Sequence, residues 1–170
     1  MAIRRREAAA SADVGSRHQP SNIGAVPAPF VHELRVRYGE CDPQGIVFNA
    51  NYLLYFDVAF TELWRVAVGP WEDMVQRGVD AVVAEANVRF RAPARFDDVL
   101  ALRAQIAELG TTSMTTEIDV LRGSEVLVEG RLRHVFVETS TWGKTEMPDW
   151  IRAGLAPFAR RNGGKLPAGA

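Results

Sequence analysis

The sequence predicts an α+β domain in which one antiparallel sheet of about five strands wraps around a single long apolar helix. Two observations carry this. One helical stretch is apolar on almost every side, and four successive long segments behind it alternate as strands do. A helix with hardly any polar face must be covered, and strands with one apolar face need something to cover. A sheet curled around that helix satisfies both demands.

Taken in order, residues 1–29 are rich in Ala, Ser, Arg and Pro without hydrophobic periodicity, which predicts a flexible tail before a domain at 30–160. From Val31, VHELRVRY alternates: His32, Leu34, Val36 and Tyr38 share one face and Val31, Glu33, Arg35 and Arg37 the other, a half-buried strand. After an ECDPQG loop, Tyr52, Tyr55, Phe56, Ala59, Phe60, Leu63, Trp64 and Ala67 recur at spacings of three and four. They draw a helix that Gly69-Pro70 stops near Val68. WEDMVQRG reads as a short helix or turn. Then come VDAVVAEANVRFRAP, DVLALRAQIAELG, TSMTTEIDVLRG and EVLVEGRLRHVFVET, whose alternation and bounding Gly, Pro and Asp predict an antiparallel meander with a hairpin turn at Leu121–Glu125. PDWIRAGLAPFARR gives a short final amphipathic helix, and 161–170 a second flexible tail. Such a sheet leaves long edges that invite pairing with another copy, so a homodimer or homotetramer is expected.

Composition removes whole classes of function. In 170 residues, 20 basic and 21 acidic side chains give a net charge of -1, so no global field favours nucleic acid or an anionic membrane. The lone Cys41 excludes an internal disulfide framework and fits the cytoplasm. No apolar run approaches the roughly 18 residues of a membrane span. The arginines near the start lack the apolar run of a signal peptide. His18 falls in the tail and His32 and His134 in strands, and no cluster such as HxxxH or CxxC appears, so no metal is expected.

The chemistry concentrates in RYGECDPQGIVFNANYLLYFD, Arg37 to Asp57. Pro43 biases Asp42 towards extended backbone, which holds its carboxylate on a loop, and Gly45 allows the chain to turn sharply into the helix. The helix start, around Asn49 to Tyr52, leaves backbone N–H groups without intrahelical partners, with Asn49 or Asn51 as candidate caps. A carboxylate beside unpaired amides suits attack on a carbonyl whose oxygen becomes negative. Asp42 also fits an ordinary Asx turn before proline.

R-V-x(4)-C-D-P-x-G-I-V at Arg35–Val47 and the following F-N-x-N-Y resemble the signature of the 4-hydroxybenzoyl-CoA thioesterase family of hotdog-fold proteins. The resemblance extends through GPW at Trp71 and N-x-x-F-x-x-x-A-x-F-D-D-V-L at Asn87–Leu100, covering about residues 31–150. It implies hydrolysis of an acyl-CoA, most readily a hydroxybenzoyl-CoA, to the free acid and coenzyme A. Asp42 would be the nucleophile or general base, and the Asn49 main-chain N–H would polarise the carbonyl. Gly45, Tyr52, Asp57 and Trp71 would contact substrate, Asp57 by accepting a hydrogen bond from a ring hydroxyl. Asp57 reads equally as a surface acid near Thr61, and Trp71 and Trp64 as core. Coenzyme A enters as part of the substrate, with no separate cofactor. Its phosphates point to Arg89, Arg91 and Lys144, with Arg122, Arg131 and Arg133 as further candidates. ELGTTS lacks the basic residues that one branch of the family places there.

Three alternatives stand beside this reading. A short aliphatic acyl-CoA could replace the aryl one. A non-catalytic acyl-CoA-binding module would not need the loop carboxylate. A hydratase of the same fold uses a histidine in the helix region, and none lies between Tyr38 and Val68. Cys41 has no neighbouring histidine to activate it as a nucleophile.

Overall fold

A computed structural model describes residues 28–160; nearly all of both expected tails lies outside the described residues. Five strands, β1 (Phe30–Arg35), β2 (Val79–Phe90), β3 (Val99–Leu109), β4 (Ser113–Arg122) and β5 (Glu125–Glu138), form one antiparallel sheet. Three helices accompany it: α1 (Asn51–Ala67), α2 (Trp71–Gln76) and α3 (Asp149–Leu155). β1 alternates half-buried and exposed as read, but ends at Arg35, where Tyr38–Glu40 tightens into a 3-10 turn.

Strand order corrects the expected meander. The sheet runs β1-β3-β4-β5-β2, so only β3, β4 and β5 meander, while β2 lies on the far edge beside β5. Alternation specifies which face of a strand is apolar and says nothing about its neighbour. The β4–β5 hairpin turns at Gly123-Ser124 as expected, with Gly123 in the left-handed region at φ 59°.

The buried face of α1 consists of Tyr52, Tyr55, Phe56, Ala59, Phe60, Leu63 and Trp64. It packs on Leu100, Leu102, Ile106, Met114, Ile118, Val128, Leu132 and Phe136 of the sheet. Burying each large side chain contributes about 1.5–3 kcal/mol. Gly130 of β5 permits the closest approach, since a Cβ there would sit 2.5 Å from the Phe56 ring. The helix is not covered all round: Leu53, Leu54, Asp57 and Val66 face outward. At its end Gly69 takes φ 116° before Pro70, which opens α2.

Candidate active site

Asp42 sits at the tip of a tight reversal between β1 and α1. Cys41 and Val47 form an isolated antiparallel bridge, the Asp42 N–H donates to the Ile46 carbonyl at 2.9 Å, and the Gly45 N–H donates to the Asp42 carbonyl at 2.9 Å. Gly45 takes φ +75°, a conformation unfavourable for a residue with a Cβ. Asp42 Oδ1 accepts the Gln44 N–H at 2.8 Å, an Asx turn. That turn occupies one carboxylate oxygen and fixes the rotamer; Oδ2 has no partner among the described residues.

The other half is the mouth of α1. The helix is capped at Ala50 without a side-chain bond, so neither Asn49 nor Asn51 caps it; Asn51 instead donates its Nδ2 to the Glu40 carbonyl at 2.8 Å. The amides of Asn51, Tyr52 and Leu53 are taken up by the carbonyls of Phe48, Asn49 and Ala50 in 3-10 fashion. Ala50 already has helical backbone angles, φ -66° and ψ -26°, which draws the chain into this tighter turn. The N–H groups of Asn49 and Ala50 are left without an acceptor among the described residues. They stand at the positive end of the helix dipole.

Of the residues read as substrate contacts, Gly45 shares the Asp42 reversal, whereas Asp57 and Trp71 lie away from it. Tyr52 is buried and accepts the Ala94 N–H on its hydroxyl at 3.1 Å. Asp57 is exposed on the outer flank of α1. Trp71 follows the far end of α1, whose 17 residues span about 25 Å at 1.5 Å each. There Trp71 packs against Trp64, ring centroids 4.8 Å apart, and Phe60, 6.1 Å. A cavity of about 300 Å³ opens beside them, lined by Thr61, Trp64, Arg65, Gly69, Pro70, Trp71 and Glu72. Thr61 lies one helical turn beyond Asp57, on the same flank.

Residues 44–140 match the family model of the thioesterase superfamily. The chain belongs to that superfamily. It is a thioester hydrolase with the hotdog fold. It is 31% identical over 106 residues to the acyl-CoA thioester hydrolase YbgC of Escherichia coli O157:H7, covering 58% of this chain and 79% of that one. It is 33% identical over 91 residues to the 4-hydroxybenzoyl-CoA thioesterase of Pseudomonas sp. strain CBS-3, covering 52% of this chain and 64% of that one. Among solved structures, a gentisyl-coenzyme A thioesterase superposes with a TM-score of 0.67 at 26% identity, over 75% of this chain and 99% of that one.

Most of the cations considered for coenzyme A phosphates in this thioesterase are already paired. Arg89 and Arg91 both reach Glu129, Arg122 bonds Asp98 and Glu125, Arg131 pairs with Glu117 and Arg133 with Glu85. These partners are partly exposed, so each pair is worth at most about 1 kcal/mol and can exchange for a phosphate. Lys144 is exposed, with no carboxylate partner among the described residues. No group of three His, Cys, Asp or Glu able to hold a metal occurs among the described residues.

Glu40 is the site residue that sequence reasoning missed. Its carboxylate, 12% exposed, accepts the main-chain N–H of Arg37 at 2.7 Å, the Arg37 Nε at 2.7 Å and the Tyr55 hydroxyl at 2.8 Å. Burial pushes its carboxyl up, but the bonds from Arg37 and Tyr55 outweigh it and hold it below the usual carboxylate range. Tyr55 is raised by burial and then by its bond to Glu40, so it stays protonated and donates. No motif spacing signals a contact between residues 15 positions apart.

Proposed function

We propose that this thioesterase hydrolyses an acyl-CoA, most readily one with an aromatic acyl group, to the free acid and coenzyme A. The observation that carries the reading is the pairing of Asp42, with one carboxylate oxygen unengaged, and two unclaimed amides, at Asn49 and Ala50, across a single reversal of the chain. The relatives' activities on 4-hydroxybenzoyl-CoA and gentisyl-CoA favour an aryl group. So does the aromatic lining of the cavity at Trp64 and Trp71, with Asp57 one turn away as acceptor for a ring hydroxyl.

Acting as general base, Asp42 takes a proton from water as the water oxygen attacks the thioester carbon. The Asn49 N–H donates to the oxygen that becomes negative, and collapse expels the thiolate of coenzyme A, which is then protonated. Acting as nucleophile, the carboxylate attacks directly and expels the thiolate, and water then cleaves the mixed anhydride. Gly45 holds the reversal in either case. Arg89, Arg91 and Lys144 would meet the phosphates.

The edge of β2 supports a homodimer as the working unit. This 12-residue strand has a single neighbour, β5. It starts just after α2 and ends just before the segment that places Ala94 against Val47 and Tyr52. Two copies paired antiparallel along β2 would set the Asp42 end of one beside the Trp71 end of the other, completing a site that one protomer holds only in halves. A homotetramer would pair two such dimers. No helix among the described residues is long and apolar enough to cross a membrane. The single cysteine, Cys41, supports the cytoplasm as the enzyme's compartment.

Replacing Asp42 with Asn tests the assignment. Turnover of the best aryl-CoA should fall by about 10²- to 10⁴-fold, the range for a lost general base, with the assembly intact. Unchanged turnover in the folded variant would remove Asp42 from the chemistry.

A further inference from the structure

We propose that Glu40 is a positioning residue that sets the distance between the Asp42 carboxylate and the free amides of Asn49 and Ala50. The inference rests on the reading of Asp42 given above.

Glu40 lies two residues before the acid, at the base of the reversal that Asp42 tips. Its main-chain carbonyl accepts two bonds, from the Phe48 N–H at 2.9 Å and from Asn51 Nδ2 at 2.8 Å. Those donors flank Asn49 and Ala50 in the chain, so the carbonyl clamps both sides of the segment whose two N–H groups have no acceptor among the described residues. Its side chain makes a second clamp. The carboxylate joins Arg37, where the chain leaves β1, to Tyr55, one turn inside α1. Between the clamps the chain is closed by the Cys41–Val47 bridge and the Asp42–Ile46 bond. One residue therefore ties the segment carrying the acid to the segment carrying the amides.

The energetics give the contact reach beyond packing. The bonds to the Glu40 carboxylate are charge-assisted, a class roughly twice as strong as neutral ones. Burial of a lone carboxylate would be costly, and Arg37 offsets this by neutralising it beside Asp42 rather than adding a second uncompensated negative charge there. Reactions that depend on an acid and an oxyanion donor held at fixed separation lose rate steeply when either moves by about 1 Å. Glu40 is held by three hydrogen bonds from Arg37 and Tyr55, and it acts through the geometry of the reversal rather than on the thioester carbon.

The test is a double-mutant cycle. Glu40→Gln keeps the shape but weakens the bonds to Arg37; we expect kcat to fall about tenfold per folded site while KM stays within about twofold. Tyr55→Phe, which deletes one bond to the same carboxylate, should reproduce part of that loss. In an Asp42→Asn background, Glu40→Gln should cost little further, because an effect exerted through Asp42 disappears once Asp42 is gone. Multiplicative losses in the double variant would overturn the proposal, as would a single variant that melts earlier yet turns over normally per folded site. If Asp42→Asn alone retains full turnover, the catalytic assignment fails first. If Asp42→Asn is inactive and Glu40→Gln is unaffected, only the role of Glu40 fails.

Discussion

The two ends of α1 present opposite kinds of surface. At its start the chain is polar, tightly hydrogen-bonded and fixed by loop geometry: an Asx turn at Asp42, a left-handed glycine at 45 and two unclaimed amides. At its finish Phe60, Trp64 and Trp71 pack together beside a cavity to which Trp64, Pro70 and Trp71 contribute apolar surface. The first end has groups able to make and break a bond but little apolar surface to select an acyl group. The second has that surface and no carboxylate positioned as Asp42 is. Separated by about 25 Å of helix, they can serve one substrate only if a second copy brings the opposite end alongside.

Mixed assemblies test that division most severely. On the proposed homodimer, the Asp42→Asn and Trp71→Ala variants should each be poor enzymes, the first by about 10²- to 10⁴-fold. Unfolded together and refolded, they should recover about a quarter of wild-type activity, because half the dimers are mixed and each mixed dimer has one intact site. No recovery on mixing would mean that both residues act within one protomer.

A second break falls on the aromatic end. His134 is buried, stacked 4.1 Å from Phe60, and desolvation lowers its pKa to about 4, so it is neutral in the folded protein. The unfolded chain takes up a proton near pH 6.5 that the folded one refuses. Stability is therefore full above about pH 6.5 and declines down to about pH 4, by at most about 1.4 kcal/mol per pH unit from this group. Urea unfolding at stepped pH should show that slope, and His134→Leu should flatten it.

Between the ends, Gly130→Ala drives a methyl into the Phe56 ring. Overpacking of this kind costs about 1–3 kcal/mol, readable as a lower denaturation midpoint. Both ends should suffer together, since the helix that connects them shifts as one body. The smallest expected effect is on selectivity. Asp57→Ala should lower kcat/KM for hydroxylated aryl-CoA by about tenfold relative to benzoyl-CoA, the worth of one hydrogen bond to a charged group. Equal losses on both substrates would take Asp57 out of recognition.

Much of this was readable in one dimension. Tyr52 to Ala67 announced a helix because its apolar positions recur every three or four residues, and Gly123-Ser124 announced a hairpin because only a few residues turn so tightly. Asp42 stood out because Pro43 and Gly45, just after it, constrain the backbone that carries it. Glu40 did not, because Tyr55, 15 positions on, becomes its partner only after the loop folds back on the helix, while Arg37 joins it within the local turn. The expected caps at Asn49 and Asn51 failed for a related reason: the Glu40 carbonyl draws Asn51 away, and Ala50 enters the helical region first.

The sequence by itself determined which segments are helix or strand, which face of each is apolar, and which acid sits on a constrained turn, because these follow from local sterics and from the period of side chains along the chain. Only the tertiary structure decided that β2 crosses to the far edge beside β5, which two amides at the mouth of α1 remain unclaimed, and that Trp71 lies a helix length from Asp42. Those facts depend on which distant segments compete for the same hydrogen bonds and the same buried surface, and no local rule ranks those competitors.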